Sequence, residues 1–216
     1  MRRFPLLLLT YALTLTACDE AADLLSTTDE PEATYSETVL QATFFEPGRS
    51  ATPSVSWNGD QGTISLADEP RGVTVNATTG RISWDQTLPP GTHDFDVIVA
   101  NGKGNVVIPI TIENPLQGTF TGTFDNAHYF SFDLHTDGTI DLRAEDPSDP
   151  VKGSGTWKFD NGKVRAVYVY EGGSTQPAFQ ATLAQSGTAA TLTGDWYYDD
   201  SFTSRELGGT IEAELE

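Results

Sequence analysis

The chain has 216 residues, 38% of them apolar, with 20 Gly, 12 Pro and one Cys, which is material for one large or two ordinary globular domains. A single cysteine excludes an internal disulfide framework and a multi-cysteine zinc or iron–sulfur site. Twelve Lys+Arg against 31 Asp+Glu leave a formal charge of −19, which argues against an electrostatic grip on nucleic acid or on an anionic lipid surface.

Residues 1–17 read as a secretory signal. Arg2 and Arg3 form a basic start, and Phe4 to Ala17 form an apolar run too short to remain in a bilayer as a spanning helix. The end of that run, Leu15-Thr16-Ala17-Cys18, resembles the lipobox of bacterial lipoproteins. The resemblance implies that the Cys18 thiol receives a diacylglycerol and becomes the first residue of the mature chain. Ordinary signal-peptidase cleavage after Ala17 would favour a small residue where Leu15 stands. Acyl burial contributes about 0.8 kcal/mol per methylene, so two or more chains anchor a protein durably. The expected location is therefore the bacterial cell envelope, outside the cytoplasm, with the membrane as a partner through Cys18 and the face of attachment left open.

Residues 18–35 carry six acids and no base, and little apolar material beyond Leu24 and Leu25. That composition predicts a disordered acidic tether. Fully extended, it would reach about 55–60 Å.

From residue 36 onward no helical period stands out. Short alternating runs are separated by Gly, Asn, Asp and Pro clusters, so the fold class is all-β. Over residues 36–114 the expected strands are Val39–Phe45, Ser54–Trp57, Gly62–Leu66, Gly72–Val75, Arg81–Trp84, His93–Ala100 and Asn105–Ile112. His93, Phe95, Val97 and Val99 share one face, and Val106, Ile108, Ile110 and Ile112 form the next apolar stripe. Asn101-Gly102-Lys103-Gly104 has the composition of a hairpin turn, and Pro109, lacking an amide proton, suggests that its strand lies at a sheet edge. Gly80 suits a positive-φ turn after Asn76 to Thr79, and Ile82 and Trp84 then enter the core.

Three spaced segments, Gly72-Val73-Thr74-Val75, Thr79-Gly80-Arg81-Ile82-Ser83-Trp84 and Gly91-Thr92-His93-Asp94-Phe95-Asp96-Val97, resemble the bacterial Ig-like, cadherin-like repeat over about 80 residues. The resemblance implies a β-sandwich. Calcium-binding relatives end the last of these strands on Thr-Asp, where this chain has Ala100-Asn101, which counts against calcium. His93 stands where the family often has an aromatic residue and reads as a packing residue.

Residues 115–216 change rhythm after Pro115. Eight strands are expected at Gly118–Phe124, His128–Leu134, Thr139–Arg143, Gly155–Phe159, Val164–Tyr170, Ala178–Leu183, Ala189–Tyr198 and Gly209–Leu215, joined by short Gly/Asn/Asp turns. One face is apolar in almost every strand, from Phe120 and Phe124 to Ile211 and Leu215, and the other is largely polar. That pattern predicts an eight-stranded up-and-down meander β-barrel following the Ig-like sandwich. Gly-x-aromatic recurs at Gly118-Thr119-Phe120, Gly155-Thr156-Trp157 and Gly194-Asp195-Trp196, and resembles lipocalin-like barrels. Such a barrel is either filled by its own side chains or holds an apolar ligand in its mouth. Trp157, Trp196 and Tyr198 are the candidate ligand contacts.

His93, His128 and His135 lack metal-ligand spacing, and no nucleophile elbow or phosphate loop occurs. Ser131, Asp133 and His135 superficially suggest a triad, but on one strand they point along one solvent face about 7 Å apart. The expectation is a protein without catalytic residues, metal or cofactor, acting as a lipid-anchored binding or structural module for a glycan, a small apolar ligand or another envelope protein. Two alternatives are a hydrolase or isomerase using acids around the barrel mouth, and a calcium-dependent adhesion protein.

Overall fold

The computed structural model describes residues 29–216. Cys18, the signal segment and most of the expected tether lie outside the described residues. All regular structure described is β: β1 (Glu32–Thr34), β2 (Val39–Gln41), β3 (Gly48–Arg49), β4 (Ser54–Ser56), β5 (Thr63–Leu66), β6 (Val73–Val75), β7 (Ile82–Trp84), β8 (Gly91–Ala100), β9 (Asn105–Asn114), β10 (Gly118–Phe124), β11 (His128–Leu134), β12 (Thr139–Glu145), β13 (Val151–Asp160), β14 (Lys163–Tyr170), β15 (Ala178–Gln185), β16 (Ala190–Tyr197) and β17 (Leu207–Leu215).

The first nine strands form an Ig-like sandwich. A sheet ordered β2-β9-β8-β5 faces a sheet ordered β3-β7-β6, with β1 and β4 paired beside them. Val97, Val99, Ile82, Ile110 and Ile112 lie almost wholly inside, and Trp84 is buried with them. Gly48, opposite Trp84 in the β3–β7 pair, leaves room for the indole that a Cβ would overlap. Asn76 Oδ1 accepts the backbone amides of Thr78 and Thr79, and Gly80 follows at φ 71°, as the turn composition predicts.

Three expectations change. The sandwich starts before residue 36: β1 pairs with β4, and Tyr35 is buried with its hydroxyl donating to the Gly80 carbonyl, so residues 32–35 belong to the fold and not to a tether. The strand expected over Val39–Phe45 stops at Gln41. A turn closed by Glu46 N donating to Thr43 O, with Phe45 at φ 63°, takes the chain out of the sheet. Finally, β9 is not an edge strand throughout, because Thr111 to Glu113 face the parallel strand β2. Asn101 N bonds Gly104 O, so bonded pairs on β8–β9 recur at every second residue from there. Pro109, opposite Asp96, falls in a non-bonded pair, where its missing N–H points beyond the reach of β2.

β10 to β17 pair in sequence order and β10 pairs with β17, so the second unit is a closed antiparallel up-and-down barrel. Closing a tightly coiled barrel demands close backbone approach. A Cβ at Gly122, Gly155 or Gly194 would overlap the carbonyl oxygen of Glu212, Val167 or Gln180 on the neighbouring strand. The interior is solid: Phe120, Phe132 and Phe179 are fully buried, and Ile140, Leu142, Ala166 and Leu192 fill the space between them.

The two units share a packed junction. Phe44, from the sandwich turn, belongs to the barrel core with Leu116. Gln185 Nε2 donates to the carbonyls of Gln86 (2.5 Å) and Leu88 (2.9 Å), and Arg71 donates to the Gln185 carbonyl at 2.8 Å. Asn114, 2% exposed, donates to the Leu88 and Pro89 carbonyls. The chain enters the sandwich at its other pole, where Asn101 of the β8–β9 turn donates to the Asp29 carbonyl. Entrance, sandwich, junction and barrel therefore follow one another in space.

Candidate functional site

β10 runs away from the junction and ends at Phe124. Because the strands alternate in direction, the start of β11, the ends of β12, β14 and β16, and the starts of β13, β15 and β17 gather at the same far mouth. A cavity of about 130 Å³ opens there, lined by Phe124, Phe130, Glu145, Tyr168, Tyr170, Pro177, Trp196 and Ile211. Below it Phe130, Phe132 and Phe179 close the interior. The barrel is thus filled, with a small aromatic cup at one end.

Three pairs of the cup's rings meet nearly at right angles, while Phe130 and Tyr168 are tilted at 43°. Phe124 is T-shaped to Phe130 (80°) and to Trp196 (82°), and Tyr168 is T-shaped to Tyr170 (84°). The Trp196 indole donates to Asp125 Oδ1 at 3.2 Å, which also accepts Thr210 N at 3.2 Å. Gly208 and Gly209 leave the space that Trp196 and Asp125 occupy. Burial pushes the Tyr168 phenol far up, with its interaction with Tyr170 adding to the rise, and burial likewise raises Tyr170. Both hydroxyls are therefore neutral donors at any physiological pH.

Glu145 reaches the rim of this mouth at the end of β12. Thr139, Asp141 and Arg143 point outward on β12, and Glu145, itself exposed, continues that alternation. Glu145 sits at φ 77°, at the centre of a γ-turn closed by Asp146 N donating to Ala144 O at 3.1 Å. Such a turn is strained for a non-glycine residue. It carries the carboxylate to the cup rim, 3.6 Å from Nδ1 of His128, whose ring stacks on Phe124 at 4.9 Å.

The candidate contacts separate. Trp196 lines the cup, and Tyr198 packs on it at 4.9 Å while remaining 60% exposed. Trp157 lies at the opposite end, donating its indole N–H to the His135 carbonyl beside Pro90 and Pro115 of the junction. Glu145, Tyr168 and Tyr170 escaped the sequence reading. The two tyrosines carried a signal, an aromatic pair on the inward side of a strand end, whereas Glu145 carried none, since it is an exposed residue at the end of its strand that meets the cup only at the rim.

Ser131, Asp133 and His135 make no relay. Ser131 is buried against the Thr121 hydroxyl, Asp133 engages Thr119 and Arg143, and His135 pairs with Asp141. His93 is half-buried, with Nε2 2.7 Å from the Pro89 carbonyl. Among the described residues, no group of three or more His, Cys, Asp or Glu is placed to hold a metal, no carboxylate is buried inside the barrel, and no helix is long and apolar enough to cross a membrane.

The architecture is that of an Ig-like domain followed by a closed eight-stranded barrel. Residues 21–115 match a family model described as "Putative Ig domain", which ends where the barrel begins. No curated protein matches the chain.

Proposed function

We propose that the chain is a lipid-anchored, non-catalytic cell-envelope protein, in which the sandwich is a spacer and the barrel a binding head that presents its aromatic cup. The observation that carries the reading is the position of the cup. It opens at the end of the barrel away from the junction, whereas the chain enters at the sandwich pole away from the junction. The ten residues of β9 and seven of β10 together advance on the order of 50 Å between those poles. Acylation of Cys18 would therefore hold the cup far from the bilayer. A filled barrel favours capture at the mouth over storage of a large apolar ligand.

The test is mass spectrometry on the chain expressed with its signal in a lipoprotein-processing bacterium. Intact mass should show diacylglycerol on Cys18, lost in Cys18→Ala, and native spectra should show a small molecule that disappears in Trp196→Leu. An unacylated wild-type chain, or one with no bound molecule under any extraction, would overturn the corresponding half of the reading.

A further inference from the structure

We propose that the cup is a cage for a quaternary or methylated ammonium group; this rests on the reading that the cup is the binding site and names the chemistry it selects. Three properties of the mouth select that class. The first is size. A cavity of about 130 Å³ is close to the roughly 150 Å³ void that admits one benzene ring, so it takes a compact group and not a lipid chain or an oligosaccharide.

The second is wall geometry. A planar ring is best held between parallel walls, but here Phe124 stands at 80° to Phe130 and 82° to Trp196, Tyr168 at 84° to Tyr170 and Phe130 at 43° to Tyr168, so none of these pairs is parallel. Rings set at right angles form a box for a rounded group, and the negative faces of aromatic rings attract a cation that has few hydrogen bonds to lose. A sugar would require several polar partners, and beyond the two tyrosine hydroxyls, Glu145 is the polar side chain lining the cup.

The third is charge. The turn at Glu145 places a carboxylate at the rim of a box whose other polar side chains are uncharged. His128, whose Nδ1 lies 3.6 Å from this carboxylate, stacks on Phe124 at the rim, and both side chains are about half exposed, open to exchange of partners. The net charge of −19 draws cations and repels anions at longer range.

The experiment titrates choline chloride into the full-length chain in nonionic detergent by calorimetry, alongside tert-butylethanol, the uncharged isostere in which carbon replaces the nitrogen. Nuclear Overhauser contacts between ligand methyls and aromatic protons locate the site. Choline should bind roughly tenfold more tightly than the isostere, and Glu145→Gln should weaken choline by roughly three- to tenfold while leaving the isostere unchanged. Trp196→Leu should abolish both contacts and heat. Equal affinity for the isostere, or indifference of choline to Glu145→Gln, overturns the ammonium cage while leaving an apolar cup. Binding of neither compound overturns this inference, and the reading of the cup as a binding site then depends on the native spectra alone. Vesicles of phosphatidylcholine distinguish the source: capture that competes with choline assigns a lipid headgroup, and absence of capture assigns a free ammonium compound.

Discussion

Tyr35 closes the sandwich core from a segment whose acidic neighbours make it look like solvated chain. Its ring is 7% exposed, and its hydroxyl donates to the carbonyl of Gly80, the positive-φ residue of the β6–β7 turn. The contact ties the beginning of the fold to a turn far along the chain. Tyr35→Phe keeps the ring and leaves a buried carbonyl without its donor, so it should cost about 1–2 kcal/mol in urea unfolding, without a change in slope. A variant as stable as the parent would mean that water replaces the hydroxyl. Desolvation also pushes the Tyr35 phenol up to about 12, so the variant should lose part of its sensitivity to alkali.

At the scale of the element, period-two alternation was sufficient for the barrel because nearly every strand buries one face, with β13, whose Trp157 and Phe159 are only partly buried, the least complete. Two of its eight strands, Gly118–Phe124 and His128–Leu134, have the bounds the sequence suggests, and the others differ by a few residues at their ends. Alternation fails where the backbone leaves the pleat. Glu145, at positive φ, ends β12 in a turn at the cup rim, and the Thr43–Glu46 turn lifts Phe44 out of one module and into the other. Neither event leaves a compositional trace, which is why the place of Glu145 and all of the inter-module packing were illegible, while Trp196, which follows Gly194, lies in the wall of the cup. That glycine has its own physical role. Gly194→Ala places a Cβ against the Gln180 carbonyl, so β15 and β16 must part. The expected loss is roughly 2–4 kcal/mol of barrel stability by guanidinium titration. Gly187→Ala, at a hairpin where the nearest atom would be the Thr87 methyl at 3.9 Å, is the control and should stay within about 0.5 kcal/mol. Equal effects at the two sites would remove close strand approach as the reason for the glycine.

For the whole molecule, pH acts from both sides. Asp85, Asp137, Asp146 and Asp199 each accept the hydroxyl and then the amide of the Thr or Ser two residues on, which holds all four below the usual carboxylate range. A depressed folded value means stability present above the unfolded value of 3.8 and lost as pH falls through the folded one. Burial raises Tyr35, Tyr168, Tyr170 and Tyr197, so their contribution is intact below pH 10.0, the unfolded value, and is lost above it. Melting temperature should therefore fall below about pH 4 and again above about pH 10. Between those limits added salt should raise it, because screening relieves the repulsion among 31 acidic residues. A melting temperature flat through pH 11 would contradict the tyrosine assignment.

The junction decides whether sandwich and barrel behave as one body. A flexible linkage would leave each with its own core, but Phe44 of the sandwich is 3% exposed within the barrel cluster, and Leu88 accepts hydrogen bonds from both Asn114 and Gln185. Truncating a phenylalanine so placed removes apolar burial from the barrel and leaves a void at its junction end, an effect of about 3–5 kcal/mol. Phe44→Ala should therefore accelerate hydrogen exchange in β10, β11 and β17 although the substitution lies far upstream in the other module. Loss of protection confined to the sandwich strands would mean that the barrel closes without its plug, and the rigid spacing between the chain's entrance and the aromatic cup would no longer follow from packing.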